Sequence, residues 1–345
     1  MKSPQRVTIK NVARAAGVSA QTVSRVINDR PDVASETRQR VQQVIKELGY
    51  RPSALARSLI QQRSFTLGVV TAGLKYIGPS RTLNGITQRV EELGYALLLK
   101  ELPSFTAGDF QTLVLSLIAR HVDGIIWATS EVGDNQNWTA EILPDISVPI
   151  LFLTTHQRAG IFSVSYDNYI GGYMATKHLL DEGYRHIGHI TGPLDWWEAR
   201  QRKAGWESAL LDTGMLVEES RYQEGSWSSS SGETAIRKLL AAYPEIDAVF
   251  VANDQMALGV LQVATRQGIR VPQDLGVIGF DGIPEARYFW PPLSTVFQDQ
   301  NRLGCIAVEK IVEIIERLRD EKQPLEPEAI ILQPELILRE SSKKV

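Results

Sequence analysis

Apolar positions along this chain change their period once, near residue 65. Up to residue 49 they recur every three or four positions, the spacing of amphipathic helices: Ile9, Val12, Ala13 and Ala16, then Val23, Val26 and Ile27, then Val41, Val44, Ile45 and Leu48. Thr8, Ser19 and Ser35 stand where these helices need N-caps. Gly17 breaks the first pattern where a tight turn calls for positive φ, with Val18 tucked under the bend, and Gly49 can end the third helix. From Phe65 onward, short and nearly continuous apolar runs alternate with helical stretches. "FTLGVVTA", "YALLLKE", "VDGIIWAT" and "VPILFLTT" form one set, and "HIGHITG", "AVFVAND" and "LGVIGFD" a second. Such runs predict parallel strands covered by helices on both faces, and two sets predict two similar lobes. "EELGYALLL" and "LLDEGYRHIGHI" are weakly alike at matching points, while "LSTVFQD" and "AIILQPELIL" would recross between the lobes. A ligand cleft is expected where the carboxyl ends of the strands face each other.

Length and charge sharpen this picture. The 345 residues allow two or three domains. No apolar run reaches the roughly 18 residues of a membrane span, and the amino terminus does not read as a secretion signal. The single cysteine, Cys305, fits a reducing cytoplasm and is expected to be a buried structural thiol. Residues 1–63 carry 12 Lys and Arg against 4 Asp and Glu, net +8, while the rest carries 25 against 36, net −11. A basic head on an acidic body points to a polyanion met by the head alone.

On a helix of about 100° per residue, Gln21, Ser24, Arg25 and Asn28 fall opposite the apolar stripe of the second helix. Gln pairs bidentately with adenine and Arg with guanine. Helix, tight turn and helix in a basic segment favour major-groove reading over a merely solvated face. The connector "YRPSALARSLIQQRS" holds barely two helical turns from Ser53 to Ile60, so its helix is marginal alone.

In the body, Asn253 follows "AVFVA", Asp281 follows "GVIGF", Arg202 follows "GPLDWWEARQ", and Trp227 stands in "EGSW". Asn, Asp and Arg can grip vicinal hydroxyls, and an indole can stack on the C–H face of a pyranose. Singly, each is more often a helix cap or a core residue. Together they favour a polar-ligand cleft.

"TIKNVARAAGVSAQTVSRVIN" and "SETRQRVQQVIKELGYRPSALARSLIQQRS" resemble the lactose-repressor (LacI/GalR) family of bacterial transcription regulators, and the likeness extends loosely along the chain. The resemblance implies an α/β protein with an all-α helix-turn-helix head and a two-lobed, periplasmic-binding-protein-like (type I) body. It places Ala20 and Gln21 where operator preference is set, Arg25 on a base, and Thr8, Ser19, Thr22, Ser24 and Asn28 near phosphates. Tyr50 and Leu59 complete the DNA-contacting set, Leu59 as a minor-groove wedge from paired hinge helices. "NDQMALG", "IGFDG" and "RKAGW" place Asn253, Asp281 and Arg202 on the effector, and Trp227, Tyr166, Tyr76 and Trp196 fall on further cleft positions. Departures matter as well. Ala20 is small where some members carry tyrosine, and Ile60 replaces a basic residue. Leu102 and Thr154 stand at positions polar in some members, and Trp196 where others have arginine. The Trp196-Trp197 pair favours a larger, sugar-like ligand over a purine.

Enzyme signatures are missing: no P-loop, no dinucleotide fingerprint in "GVIGFDG", no G-x-S-x-G elbow. His186 and His189 lie three apart on one strand, hence on opposite faces, which suits core packing better than a metal. The Asn137–Thr139 sequon has no meaning in a cytoplasmic chain, and the tail "RESSKKV" lacks heptad leucines. A transport-type sugar-binding protein would share the body but has no use for the head. The expectation is therefore a homodimeric, cytoplasmic repressor without cofactor or metal, binding a pseudo-palindromic DNA operator and controlled by a small sugar, with a nucleoside or purine as the alternative. Its parts are a head over 1–49, a hinge over 50–63 and a body over 64–345. Within the body the first lobe takes about 64–164 and 298–327, and the second about 165–297 and 328–340.

Overall fold

A computed structural model describes residues 7–27, 30–50, 63–106, 110–133, 143–215, 217–320 and 325–344, with Asn135 and Thr139. The chain divides into two compact units, Met1–Phe65 and Thr66–Val345.

The first unit holds α1 (Ile9–Ala16), α2 (Ala20–Ile27) and α3 (Ser35–Leu48). Thr8 precedes α1, and its amide donates to Asn11 Oδ1 at 2.9 Å. Gly17 ends the helix at φ +65°, and Ser19 Oγ then accepts the Thr22 amide at 3.0 Å to start α2. For α3 the cap falls one residue earlier than expected: Ala34 is extended and its carbonyl accepts from the Arg38 amide, so Ser35 is already helical. Val12, Ala13, Ala16, Val23, Val26 and Val41 are buried, with Val18, Val44 and Ile45 against them. Leu48, expected in this stripe, is 38% exposed because α3 ends there at Gly49 (φ +61°).

The second unit carries two six-stranded sheets. β1 (Thr66–Ala72), α4 (Ile77–Glu92), β2 (Ala96–Leu102), α5 (Phe110–Ile118), β3 (Gly124–Ala128), β4 (Ile150–Leu153) and β5 (Phe162–Tyr166) build the first lobe. The second lobe begins with α6 (Asn168–Asp181), β6 (Ile187–Thr191), α7 (Trp197–Leu211), β7 (Tyr222–Glu224) and α8 (Ser229–Ala242). It continues through β8 (Ala248–Val251), α9 (Asp254–Gln267), β9 (Gly276–Asp281) and β10 (Ser294–Phe297). The chain then returns through α10 (Gln300–Asp320) and β11 (Ala329–Leu332), and crosses a last time to β12 (Glu335–Ile337). The strand orders are β11-β5-β4-β3-β1-β2 and β12-β10-β9-β8-β6-β7. Every pairing is parallel except β10 with β12.

The last crossing departs from the expected division at 328. β11 pairs in parallel with β5, Ala329 opposite Ser163, so it closes the first lobe, and the chain changes lobe between Leu332 and Glu335. β5 and β7 escaped the sequence pattern because "FSVSY" alternates and "YQE" is short and polar.

Buried aromatics fill both lobes: Trp127 and Phe152 in the first, Trp206, Tyr184, Phe250 and Phe280 in the second. His189 belongs to this packing. Its ring stacks on Phe250 at 4.5 Å and Nδ1 reaches the Phe250 carbonyl at 2.8 Å; burial pushes its pKa down to about 3. His186 pairs instead with the Tyr243 hydroxyl at 2.9 Å. Cys305 is half-buried rather than buried. It edges the seam where Gly85 of α4 and Gly304 of α10 let the helices touch, with Sγ 3.5 Å from the Gly85 carbonyl.

Candidate functional site

In the head, α2 presents Gln21 and Arg25 to solvent, with Ala20, Thr22 and Ser24 half-buried beside them. Arg25 lies 3.4 Å from Asp32 with both side chains about half exposed, a pairing too weak to hold the guanidinium from another partner. Thr8 and Ser19 are exposed at helix starts, although the Ser19 hydroxyl is committed to its own cap. Tyr50 packs on the head's core. Asn28 and Leu59, with the hinge over 51–62, lie outside the described residues.

In the body, a cleft of about 870 Å³, counting its open mouth, lies between the lobes at the carboxyl ends of the strands. All seven residues expected there line it: Tyr76, Tyr166, Trp196, Arg202, Trp227, Asn253 and Asp281. Thr154 lines it too, whereas Leu102 is buried in the first lobe's core.

Arg202 is the centre of the polar wall. Rising from α7 and 6% exposed, it donates to Asn168 Oδ1 at 2.9 Å, to the Ala252 carbonyl at 2.5 Å and to Asp281 Oδ1 at 3.3 Å. Its guanidinium also stacks 3.8 Å over the Phe280 ring. Burial raises the Asp281 pKa, against the pull of Arg202. Asn253 does what a residue after a strand commonly does: its Oδ1 caps α9 through the Met256 amide at 2.9 Å. Its Nδ2 donates to the Trp227 carbonyl at 3.0 Å, so it acts on the cleft by holding the tryptophan.

Sequence reasoning missed the floor. Asn168 Oδ1 also accepts from Gln298 at 3.2 Å, Gln300 donates to Gln298 Oε1 at 3.0 Å, and Thr82 donates to Gln300 Oε1 at 3.1 Å. This chain of amides runs from Arg202 in one lobe to α4 in the other. Only the fold brings positions so far apart in sequence together. Also missed was Glu198, 7% exposed on α7, whose pKa burial raises to about 7.

Aromatic side chains form the other wall. Trp196 meets Phe105 at 4.5 Å, Trp227 at 5.6 Å and Tyr76 at 6.4 Å between ring centroids. Beside them the lobes exchange backbone bonds, Trp197 N–H to the Glu131 carbonyl at 3.0 Å and Gly133 N–H to that of Asp195 at 2.8 Å. Gly192 is obligatory here, since a Cβ at that position would lie 2.0 Å from the Trp227 ring. Three non-glycine residues of the cleft sit at positive φ: Thr154 at +54°, Trp227 at +65° and Asp281 at +94°. Each costs about 1–3 kcal/mol, and such strain concentrates at ligand sites.

Residues 8–53 match the model of bacterial regulatory proteins of the lacI family, and residues 176–342 that of a periplasmic binding protein-like domain. The chain is 36% identical over 343 residues to the HTH-type transcriptional repressor PurR of Mannheimia succiniciproducens, covering 98% of this chain and 99% of that protein. The chain belongs to the LacI family. Another relative is the ribose operon repressor of Haemophilus influenzae, 34% identical with 97% and 98% of the two chains covered. Among solved structures, the Lac repressor dimer bound to operator and the anti-inducer ONPF superposes with a TM-score of 0.85 at 31% identity, covering 99% of this chain and 100% of that one. The transcriptional regulator CelR–cellobiose complex superposes with a TM-score of 0.71 at 32% identity, covering 97% and 100%. This LacI-family protein is thus a DNA-binding transcriptional repressor and not an enzyme.

Proposed function

We propose that the repressor works in the cytoplasm as a homodimer on a pseudo-palindromic operator, read by Gln21 and Arg25 of α2, and that a small sugar in the cleft controls its affinity for DNA. The observation that carries the sugar reading is the pairing of an aromatic wall (Tyr76, Trp196, Trp227) with a floor of amides and one clamped guanidinium. Indole and phenol faces match the C–H surface of a pyranose, and the Arg202–Asp281 pair matches vicinal hydroxyls. CelR, solved with cellobiose, and the ribose operon repressor lend this reading support. A purine or nucleoside is the second reading, because Trp196 and Trp227 could equally stack on a base and several similar relatives are PurR repressors.

Support for a dimer comes from the second lobe, where Trp290 and Tyr288 are 84% and 81% exposed, apolar rings a lone monomer gains nothing by displaying. Replacing both by serine is expected to lower the mass measured by sedimentation.

A thermal-shift screen of mono- and disaccharides against purines tests the effector class, since a ligand at 100 times its Kd adds about 2.7 kcal/mol. Stabilisation by a sugar and not by any purine supports the first reading. The reverse result replaces it with the second.

A further inference from the structure

Three buried polar atoms on the cleft wall have no hydrogen-bond partner among the described residues: Glu198 Oε2, Gln255 Oε1 and Trp227 Nε1. Elsewhere along this wall Arg202 and Gln298 both donate to Asn168 Oδ1, and Asn253 donates to the Trp227 carbonyl. A buried polar atom without a partner keeps the full cost of its lost hydration, which a ligand that supplies the partner returns as affinity. Two of the three are acceptors and one is a donor. The charged residues lining the cleft are Glu198, Asp281 and Arg202, and Arg202 is already paired with Asp281.

From this arrangement we infer that Glu198 selects the effector: the cleft takes an uncharged, hydroxyl-rich ligand that donates a hydrogen bond to the Glu198 carboxylate, and it rejects anionic ligands such as sugar phosphates. This rests on the cleft being the effector site and names the class of sugar. A phosphate or carboxylate group would bring only acceptors and negative charge to two unsatisfied acceptors, one of them the Glu198 carboxyl. A ligand hydroxyl donates to the carboxylate and, through its lone pairs, can accept from the indole N–H.

The charge state of Glu198 makes the inference measurable. Burial pushes the carboxyl up to about 7, against the Ser130 hydroxyl, its own backbone amide and Arg202. Glu131, the acid facing it from the first lobe, raises it and is itself tied to His156 and Arg158. Asp281 and Asp254 face Arg202 from the other side, and Arg81 lies near Asp281. A donated hydrogen bond favours the ionised form, so affinity for a hydroxyl donor rises as pH rises through 7.

Calorimetric titration of the full-length protein with glucose, cellobiose, maltose, ribose and hypoxanthine, beside glucose 6-phosphate, cellobiose 6-phosphate, maltose 6-phosphate, ribose 5-phosphate and gluconate, tests this. The neutral sugar that binds is expected to gain about tenfold in affinity between pH 6 and pH 8, and its phosphorylated counterpart to bind at least tenfold more weakly. Glu198→Gln should weaken the neutral sugar at pH 8, flatten the pH profile and narrow the gap to the phosphate. Its thermal unfolding should stay cooperative, which separates lost recognition from lost fold. A bound sugar indifferent to both pH and Glu198→Gln, or any anion preferred over its neutral counterpart, overturns the inference and leaves the effector cleft standing. Binding by none of the neutral compounds overturns both.

Discussion

The outer face of α2 and the inner wall of the cleft use the same kinds of side chain, amides and a guanidinium, under opposite conditions. Gln21 and Arg25 are exposed, and Arg25 meets Asp32 in a half-exposed ion pair. Arg202 is locked by three hydrogen bonds and an aromatic face, and the backbone around it is held at positive φ. The first arrangement leaves its groups hydrated until a polyanion of matching shape displaces the water. The second fixes its groups beforehand, so that a small ligand need not meet the entropy of ordering them. Exposed reading groups should therefore change recognition without changing stability, whereas buried ones should change both.

Arg202→Ala gives the largest expected effect. It strips Asp281 of its buried partner, which costs about 3–5 kcal/mol, and should abolish the response to effector while operator binding in the absence of effector persists. Calorimetry and gel-shift titrations check the two halves, and loss of DNA affinity would break the division of labour. Next comes Arg25→Ala, expected to cost about 1–3 kcal/mol at one operator base pair with no change in the unfolding of the body. Operator selection from a random pool, run on both proteins, would expose the relaxed position.

A smaller effect is expected from pH. Burial lowers the pKa of His189, so its contribution to stability is present above about 6.5 and is lost on acidification. Burial raises Glu198 to about 7 and Asp254 to about 8, so each loses stability as pH climbs toward its folded value. The ligand-free body should therefore fall by about 2 kcal/mol between pH 6.5 and 8, at 1.36 kcal/mol per pKa unit, and less in Glu198→Gln. Denaturant titrations at the two pH values decide this. At the bottom of the scale, Arg270→Ala removes an exposed partner of Asp274 and should leave the unfolding temperature unchanged.

Much of this contrast was legible in the sequence, and what was not has physical reasons. The head's helices depend on local spacing and on Gly17, so Val12, Val23 and Val41 were placed inside and Gln21 and Arg25 outside from the pattern alone. The seven cleft residues were placed by strand ends and family likeness together, and all line one cavity. Asn168, Gln298, Gln300 and Thr82 were not legible, because a chain of amides linking α6, a lobe crossing and α4 has no signature in any single stretch. Glu198 was hidden for a different reason: an acid in the first turn of a helix looks like an ordinary dipole partner, and only burial exposes its cost. The lobe assignment of β11 failed because "AIILQPELIL" reads as one strand, whereas its proline marks the point where the chain leaves one sheet for the other.

The glycine beneath the Trp227 ring ties the history of two positions together. While the indole stands there, residue 192 has no freedom, because even a methyl group would collide with it. Were a slimmer side chain to replace the indole, position 192 could acquire bulk, and the way back to tryptophan would then close. A shift of ligand preference along that route works as a ratchet, turning easily in one direction only.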